Sequence, residues 1–192
     1  TEVKRNQNIC TSRSFGEMVS DLPSLKASIA TFASSCANKL RGQGSVCRSV
    51  TVFIDSNRFR EDLPQYDNSA STTLTTATSD SLEIANAALR CLESIYVPGI
   101  MYKRSGVIVG DISPSCPLQL DLFDTNKKRK ERKELMRALD SINLRYGIKT
   151  IRLAVEDGPI SYGAFGGGWH VRCEHRSPNY LTDINDILTI SV

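Results

Sequence analysis

The sequence has no long apolar run, few aromatic residues and very little histidine. No stretch approaches the ~18 consecutive apolar residues of a transmembrane helix, so we expect no membrane span and no membrane partner. The chain contains two histidines and no Cys-x-x-Cys pair, which argues against a zinc centre. It also begins without Met and without an apolar leader. We therefore expect a fragment that is not secreted and that acts in the cytoplasm.

Disulfides are not expected either, although the number of cysteines is even. The cysteines lie far apart, and several fall within periodic apolar stretches. In a chain of 192 residues this pattern is typical of reduced thiols in a hydrophobic core. The six positions are Cys10, Cys36, Cys47, Cys91, Cys116 and Cys173.

The excess of positive charge is small but concentrated. With 24 Lys and Arg against 21 Asp and Glu, the net charge of +3 does not by itself indicate a nucleic-acid-binding protein. In Lys127–Lys133, however, six of seven residues are cations. Two interpretations stay open: a flexible connector that contacts DNA phosphates, or the solvated first turn of a helix. Cations at a helix start oppose the helix dipole, which favours the connector.

Residue patterns in the first 112 positions predict four strands and two helices. The strand segments are rich in β-branched residues and are bounded by turn signals; they cover 7–16 (ending at Gly16), Cys47–Asp55, Ser69–Ala77 and Met101–Ile112. The helices carry apolar residues at helical spacing, namely Leu25, Ile29, Phe32, Cys36 and Leu40, then Leu82, Ala85, Leu89, Leu92 and Tyr96.

Helix starts are marked by capping residues. Ser20 or Asp21 can cap the first helix, and Pro23 suits its first turn. Asp80 or Ser81 can cap the second helix. The order β-α-β-β-α-β predicts an α+β fold in which both helices cover one face of a four-stranded antiparallel or mixed sheet. The other face would be open and would display Ser, Thr, Lys and Arg.

We divide the chain into residues 1–112, a linker over 113–134 and a small α+β tail over 135–192. Leu135, Leu139, Ile142 and Tyr146 predict a short helix in the tail, ended by Gly147. Strands are predicted over 151–155 and 169–175, with a glycine-rich turn over 163–168.

Several motifs resemble those of one protein family and occur in its order. Thr11–Gly16 opening the β-α-β-β-α-β unit, and Arg104-Ser105-Gly106-Val107 in its last strand, are similar to the little-finger domain of Y-family DNA polymerases. Gln119–Phe123 matches the clamp-binding pentapeptide of bacterial polymerases. Trp169 and Ser177–Thr182 resemble the tail of UmuC-like members. The chain thus resembles the C-terminal region of a UmuC-like translesion polymerase acting in SOS mutagenesis.

This resemblance implies a little finger that grips primer-template DNA by its backbone. Such a grip needs cations and hydrogen-bond donors along the phosphates, without base readout. Arg13, Ser14, Lys103 and Arg104 occupy positions that match the DNA-facing strands of the family. Ser71 and Thr73 are candidates for further donors on an adjacent strand. The alternative is an ordinary solvated polar sheet face.

The resemblance also implies two protein partners. Through Gln119, Leu120, Asp121, Leu122 and Phe123 the chain is expected to bind the bacterial sliding clamp. The competing interpretation buries Leu120, Leu122 and Phe123 in the core of the tail. The tail itself is expected to dock a UmuD′-like regulatory subunit, in the nucleoid-associated cytoplasm.

No catalytic residue, metal site or cofactor is expected in this chain. The metal-binding carboxylates of the family lie in the palm, which the sequence does not contain, and the parent polymerase would hold Mg²⁺ there. Parts of the sequence are also compatible with two other functions. An RNA- or single-strand-binding module would need aromatic platforms, for which Phe53 is the candidate. A hydrolase or redox enzyme would use His170, Cys173 and His175.

Overall fold

The chain forms the alternating strands and helices that its sequence predicts. A computed structural model describes residues 7–115, 129–147 and 150–156. The elements are, in order, β1 (Ile9–Val19), α1 (Leu22–Gly42), β2 (Ser45–Ser56), β3 (Asp67–Thr78), α2 (Ser81–Ile95), β4 (Tyr102–Gly110), β5 (Ser113–Pro114), α3 (Arg129–Tyr146) and a 3₁₀ turn (Ala154–Glu156).

The strands form an antiparallel sheet of spatial order β1-β4-β2-β3, with β5 pairing the start of β2. The predicted α+β class is confirmed. Because β4 is antiparallel to both neighbours, β1 and β2 run in the same direction on either side of it. Helix α1 makes the crossover between β1 and β2, and α2 makes the crossover between β3 and β4.

The core lies between the sheet and helices α1 and α2. Alternate residues of β2 and β4 are buried there, including Val50, Val52 and Val107. All five apolar residues predicted for the first helix are buried. For α2 the buried face is shifted from the predicted one: Ala85 and Leu92 are buried as predicted, together with Ile84 and Ile95. The other three predicted residues, Leu82, Leu89 and Tyr96, are partly buried. Burial of such apolar side chains is the main favourable term in folding.

Aspartates cap helices α1 and α2. The Asp21 carboxylate accepts a hydrogen bond from the Ser24 amide at 2.8 Å, and Pro23 stands in the first turn of α1. The Asp80 carboxylate accepts from the Leu82 amide at 2.8 Å. Between the two capping candidates predicted for each helix, the structure therefore selects the aspartate.

The first predicted strand is too short. β1 continues past Gly16 to Val19, and its pairing with β4 shifts between Ser14 and Val19. At this irregularity β1 contains extra residues relative to β4, so the ladder continues beyond Gly16.

The predicted tail elements also need correction. Helix α3 begins at Arg129, within the stretch predicted as a linker, and it buries Met136 rather than Leu135 or Tyr146. Gly147 ends the helix as predicted, with a φ of 110° that favours glycine. The predicted strand over 151–155 instead leads into the 3₁₀ turn, where the Glu156 carboxylate accepts from the Leu153 amide at 3.1 Å.

The described cysteines are free thiols. Cys36, Cys47 and Cys91 are buried as predicted, whereas Cys10 is exposed. Burial raises the pKa of the Cys36 and Cys91 thiols, and raises that of Cys47 to about 12. Cys116 and Cys173 lie outside the described residues. Within the described ranges, no helix is both long and apolar enough to cross a membrane.

Candidate nucleic-acid interface

One face of the sheet is left uncovered by the helices and is mostly polar. Strand register places Thr51 opposite Ser71, with 2.8 Å between their hydroxyl oxygens, and Ser49 opposite Thr73. We call this surface the open face, and define it by Ser12, Ser14, Ser49, Thr51, Phe53, Asp55, Asp67, Ser69, Ser71, Thr73, Arg104 and Ile108.

Four of the six residues predicted to contact DNA lie on the open face. They are Ser14, Ser71, Thr73 and Arg104. Ser14 stands directly opposite Arg104 on the neighbouring strand, so these two candidates are adjacent. Ser71 and Thr73 lie two strands away, on the edge strand β3.

The other two predicted residues do not share this face. Arg13 pairs with Ser105, which is buried on the helix side within 3.3 Å of the Ser28 hydroxyl. Arg13 is exposed at the sheet edge on that side. The Lys103 ammonium donates to the Phe15 carbonyl at 2.5 Å. Neighbours along a strand point to opposite faces, so consecutive residues cannot both lie on the open face.

Phe53 and Arg104 form the most specific contact on the open face. The Arg104 guanidinium carbon is 5.1 Å from the centre of the Phe53 ring. Gly106, paired with Phe53 across the strands, leaves the room that the ring occupies. The ring is therefore covered by a cation, which does not favour the predicted alternative of an RNA-stacking platform.

The charge on the open face changes from positive on β4 to negative on β2 and β3. One cross-strand row contains Ser14, Arg104, Asp55 and Asp67, in that order. The pKa of the Asp55 carboxyl is raised, first by burial and then by the neighbouring Asp67 carboxylate. Asp67 forms an ion pair with Arg58. Phosphates are therefore attracted at the β1 and β4 side of the row and repelled at the β3 side.

The described part of the basic run is helical and partly paired. Residues 129–133 begin α3, so of the two interpretations left open for the basic run, the helix start applies to them. The Arg132 guanidinium lies 2.8 Å from the Asp80 carboxylate and 3.7 Å from Glu83. These carboxylates at the start of α2 offset the unfavourable dipole of a cationic helix start. Lys130 and Lys133 are exposed, and residues 127–128 lie outside the described residues.

Arg41 joins α3 to the rest of the fold. Its guanidinium donates to both carboxylate oxygens of Asp140 in α3, at 2.6 and 2.7 Å. It also donates to the Ser79 carbonyl at 2.7 Å and to the Ser81 hydroxyl at 3.0 Å. Such a bidentate arginine–carboxylate pair is geometrically specific as well as strong.

Several predicted sites cannot be placed. Gln119, Leu120, Asp121, Leu122 and Phe123 lie outside the described residues, as do His170, Cys173 and His175. In the described ranges, no group of three or more His, Cys, Asp or Glu side chains is arranged to hold a metal ion.

Sequence reasoning missed the contribution of β2 to the open face. Thr51 and Phe53 belong to it. From the sequence, Phe53 stands out only as a stacking platform for RNA, whereas the period-two alternation of β2 with Val50, Val52 and Ile54 indicates both residues. The role of Gly106 under the Phe53 ring had no comparable signal, because it depends on which strand pairs with β2.

Comparison with known proteins gives matches along most of the chain. The profile of the impB/mucB/samB family C-terminal domain matches residues 6–122, and that of a domain of unknown function (DUF4113) matches residues 133–190. The chain is 36% identical to UmuC of Salmonella typhimurium over 96% of its own length and 42% of that protein. It is 35% identical to MucB of Escherichia coli, covering 94% of the chain and 41% of that protein.

A solved structure is also similar. DinB from Sulfolobus solfataricus aligns with a TM-score of 0.42 and 13% identity, over 54% of this chain and 28% of that one. The chain spans about two-fifths of the length of the two curated relatives described above, at 42% and 41%.

Proposed function

Because the chain belongs to the impB/mucB/samB family, whose C-terminal domain matches residues 6–122, we propose that it grips DNA and binds a sliding clamp as the C-terminal part of an error-prone translesion polymerase. The relatives confirm the sequence-based expectation of a UmuC-like C-terminal region. The proposed setting is SOS mutagenesis, on the nucleoid in the cytoplasm. The proposed reaction of the parent protein is DNA-directed DNA synthesis.

One observation carries the DNA-binding part of the proposal. The open face lies within residues 6–122 and brings Ser14 and Arg104 together across two strands, with the Thr51 and Ser71 hydroxyls beyond them. Hydroxyls and a guanidinium suit phosphate oxygens and carry no sequence information. A grip of this kind tolerates a distorted template, because it does not test the shape of a base.

The DNA grip is tested by Arg104→Ala, with Arg90→Ala as a matched control. Arg90 is also exposed but lies on α2, on the helix side of the sheet. We expect Arg104→Ala to weaken binding to a primer-template duplex about ten-fold, equally for two unrelated sequences, and to lower the salt slope by about 1. Arg90→Ala should bind like the wild type. An unchanged salt slope for Arg104→Ala would count against the proposal.

Clamp binding rests on the residue types of the pentapeptide. Gln119 suits the polar rim of a pocket, and burial of the Leu122 and Phe123 side chains stabilises a complex by about 1.5–3 kcal/mol each. Ordering of the peptide opposes this, so we expect a dissociation constant of about a micromolar.

The clamp proposal is tested by binding of the chain to an immobilised bacterial sliding clamp. The variant Leu122→Ala/Phe123→Ala should lose binding, while Leu118→Ala, an apolar truncation just outside the pentapeptide, should keep it. A correctly folded wild-type chain that does not bind would place these residues in the core of the tail instead.

The remaining parts of the proposal concern the parent protein. We assign the polymerase chemistry, and the Mg²⁺ that it requires, to the part of such a protein that this chain does not cover; no residue of this chain is proposed as catalytic. The tail is proposed to dock a UmuD′-like subunit. Co-purification of that subunit with the full chain, and its loss when residues 157–192 are removed, would support this role.

A further inference from the structure

The open face contains an aromatic ring that lies across a neighbouring strand. Phe53 of β2 pairs with Gly106 of β4. A side chain at position 106 would collide with the ring, since a Cβ there would lie 2.6 Å from the Phe53 Cε1 atom and 2.6 Å from the Ser12 Cβ atom. The missing side chain of Gly106 therefore allows the ring to lie flat against β4.

The ring in turn supports a cation. Arg104 precedes Gly106 by two residues on β4, so it lies diagonally opposite Phe53 on the same face. Its guanidinium carbon stands 5.1 Å from the ring centre, within the range of a cation–π contact. Phe53 is half-buried and Arg104 is exposed. Asp55 lies opposite Arg104 on β2 and attracts it electrostatically, but among the described residues no carboxylate forms an ion pair with this guanidinium.

We propose that Phe53 is a positioning residue that holds the Arg104 guanidinium on the open face for contact with a phosphate of duplex DNA. This inference rests on the proposed function and deepens it. A free arginine side chain loses rotamer freedom when it binds, and a ring that already restricts the guanidinium reduces this loss. The guanidinium lies over the ring and its side chain is exposed, so a phosphate that approaches the open face can accept two hydrogen bonds from it.

The same geometry argues against base stacking on Phe53. One side of the ring lies against Gly106, and the Arg104 guanidinium lies over it. A nucleobase would have to displace the cation before it could stack. The open face is therefore suited to the backbone of a duplex rather than to the splayed bases of a single strand.

The test is a double-mutant cycle between positions 53 and 104. Binding to a primer-template duplex and to a single strand of the same sequence is measured by fluorescence anisotropy, with thermal unfolding of each protein. The proteins are the full wild-type chain, Phe53→Leu, Phe53→Tyr, Arg104→Ala and Phe53→Leu/Arg104→Ala. Leucine keeps an apolar side chain but removes the ring. We expect Phe53→Leu to weaken binding about three-fold. Phe53→Tyr keeps an aromatic ring and should bind like the wild type. The double variant Phe53→Leu/Arg104→Ala should bind no more weakly than Arg104→Ala alone.

A second pair of variants tests the position of the ring without changing it. Gly106→Ala forces the ring away from β4 and should weaken binding as Phe53→Leu does. Gly110→Ala is the control on the same strand, because a Cβ there would lie 2.7 Å from the Asn8 Oδ1 atom and 2.8 Å from the Ser49 Oγ atom, and neither atom belongs to the Phe53 ring. It should weaken DNA binding less than Gly106→Ala does.

Three outcomes overturn the inference alone. The first is a loss of binding for Phe53→Leu that persists in the Arg104→Ala background, and the second is normal binding by Phe53→Leu when Arg104→Ala binds weakly. The third is a loss for Phe53→Leu that is larger on single strands than on duplex. A wild-type chain that binds no duplex DNA overturns the proposed function and this inference together. The two failures are thus distinguishable within one experiment.

Discussion

At the scale of single residues, the Asp55 carboxylate on the open face is less favourable in the folded state than in the unfolded chain. It lies between Arg104 and Asp67 in one row of the sheet. Burial and the Asp67 carboxylate raise its pKa more than the two nearby arginines, Arg104 and Arg58, lower it. Ionised Asp55 therefore destabilises the folded state relative to the unfolded chain.

This predicts that Asp55→Asn stabilises the protein in a pH-dependent way. Because the folded-state pKa is raised above 3.8, the folded state binds more protons between that value and the raised pKa, and stability falls as pH rises through this window. At about pH 7 the variant should melt at a higher temperature than the wild type, and at about pH 3 the two should be equal. Calorimetry with Glu61→Gln, an exposed acid in the adjacent loop, controls for the charge. Equal melting temperatures at neutral pH would contradict the prediction.

Arg41 and Asp140 are partners of unequal importance. Removing Arg41 leaves the Asp140 carboxylate, the Ser79 carbonyl and the Ser81 hydroxyl without their common donor. Removing Asp140 leaves Arg41 two of these acceptors. We expect Arg41→Ala to lower the free energy of unfolding by about 3 kcal/mol and Asp140→Ala by about 1 kcal/mol. Urea unfolding measures both; an equal loss would show that the ion pair acts alone.

At the scale of whole elements, Asp80 links two helices. Its carboxylate caps α2 and also pairs with Arg132 of α3. Asp80→Asn keeps a capping side chain but removes the charge, whereas Asp80→Ala removes both functions. We expect Asp80→Asn to increase proteolysis of α3 at low salt with little change in the stability of α2. Asp80→Ala should additionally cost about 1 kcal/mol of stability. If both variants are cleaved at the wild-type rate, the ion pair does not hold α3.

The elements also show what the sequence could predict. The buried face of α1 follows from local periodicity, as Leu25, Ile29 and Leu40 demonstrate. The buried face of α3 does not, because the distant Arg41 and Asp80 select which side packs. These contacts join residues far apart in sequence, and no local pattern contains them.

The candidate site was predictable in the same partial way. The hydroxyl-rich strand β3 and the candidate Arg104 follow from residue type and resemblance. The face on which each side chain lies follows from the pairing register, and a shift of one residue moves a side chain to the other face. This is why the predicted neighbours Arg13 and Ser14 are separated by the sheet.

At the scale of the whole molecule, the cations of α3 and Arg104 lie on different sides of the sheet. α3 contacts the end of α1 and the start of α2, on the helix side. Arg104 lies on the open face, near the end of the sheet where β4 begins. In about 0.1 M salt the Debye length is about 10 Å, so the exposed cations of α3 add little to a duplex on the open face.

This arrangement predicts independent effects on DNA binding. The triple variant Lys130→Ala/Lys133→Ala/Arg137→Ala should change affinity for a short duplex by less than about two-fold at physiological salt. Arg104→Ala should still weaken it. Anisotropy titrations of both variants on the same duplex decide the point, and a loss in the triple variant as large as that of Arg104→Ala would place α3 beside the DNA.

The sheet order β1-β4-β2-β3 has a consequence for how the protein is made. The first strand has no neighbour in the sheet until the last long strand, Tyr102–Gly110, has been synthesised and inserted between it and β2. Contacts between such distant segments are slow to form. The nascent chain therefore keeps β1 unpaired while the intervening residues 20–101 are synthesised. Arg104 and Gly106 arrive on that final strand, so the proposed DNA-binding surface is completed in the same step that closes the sheet.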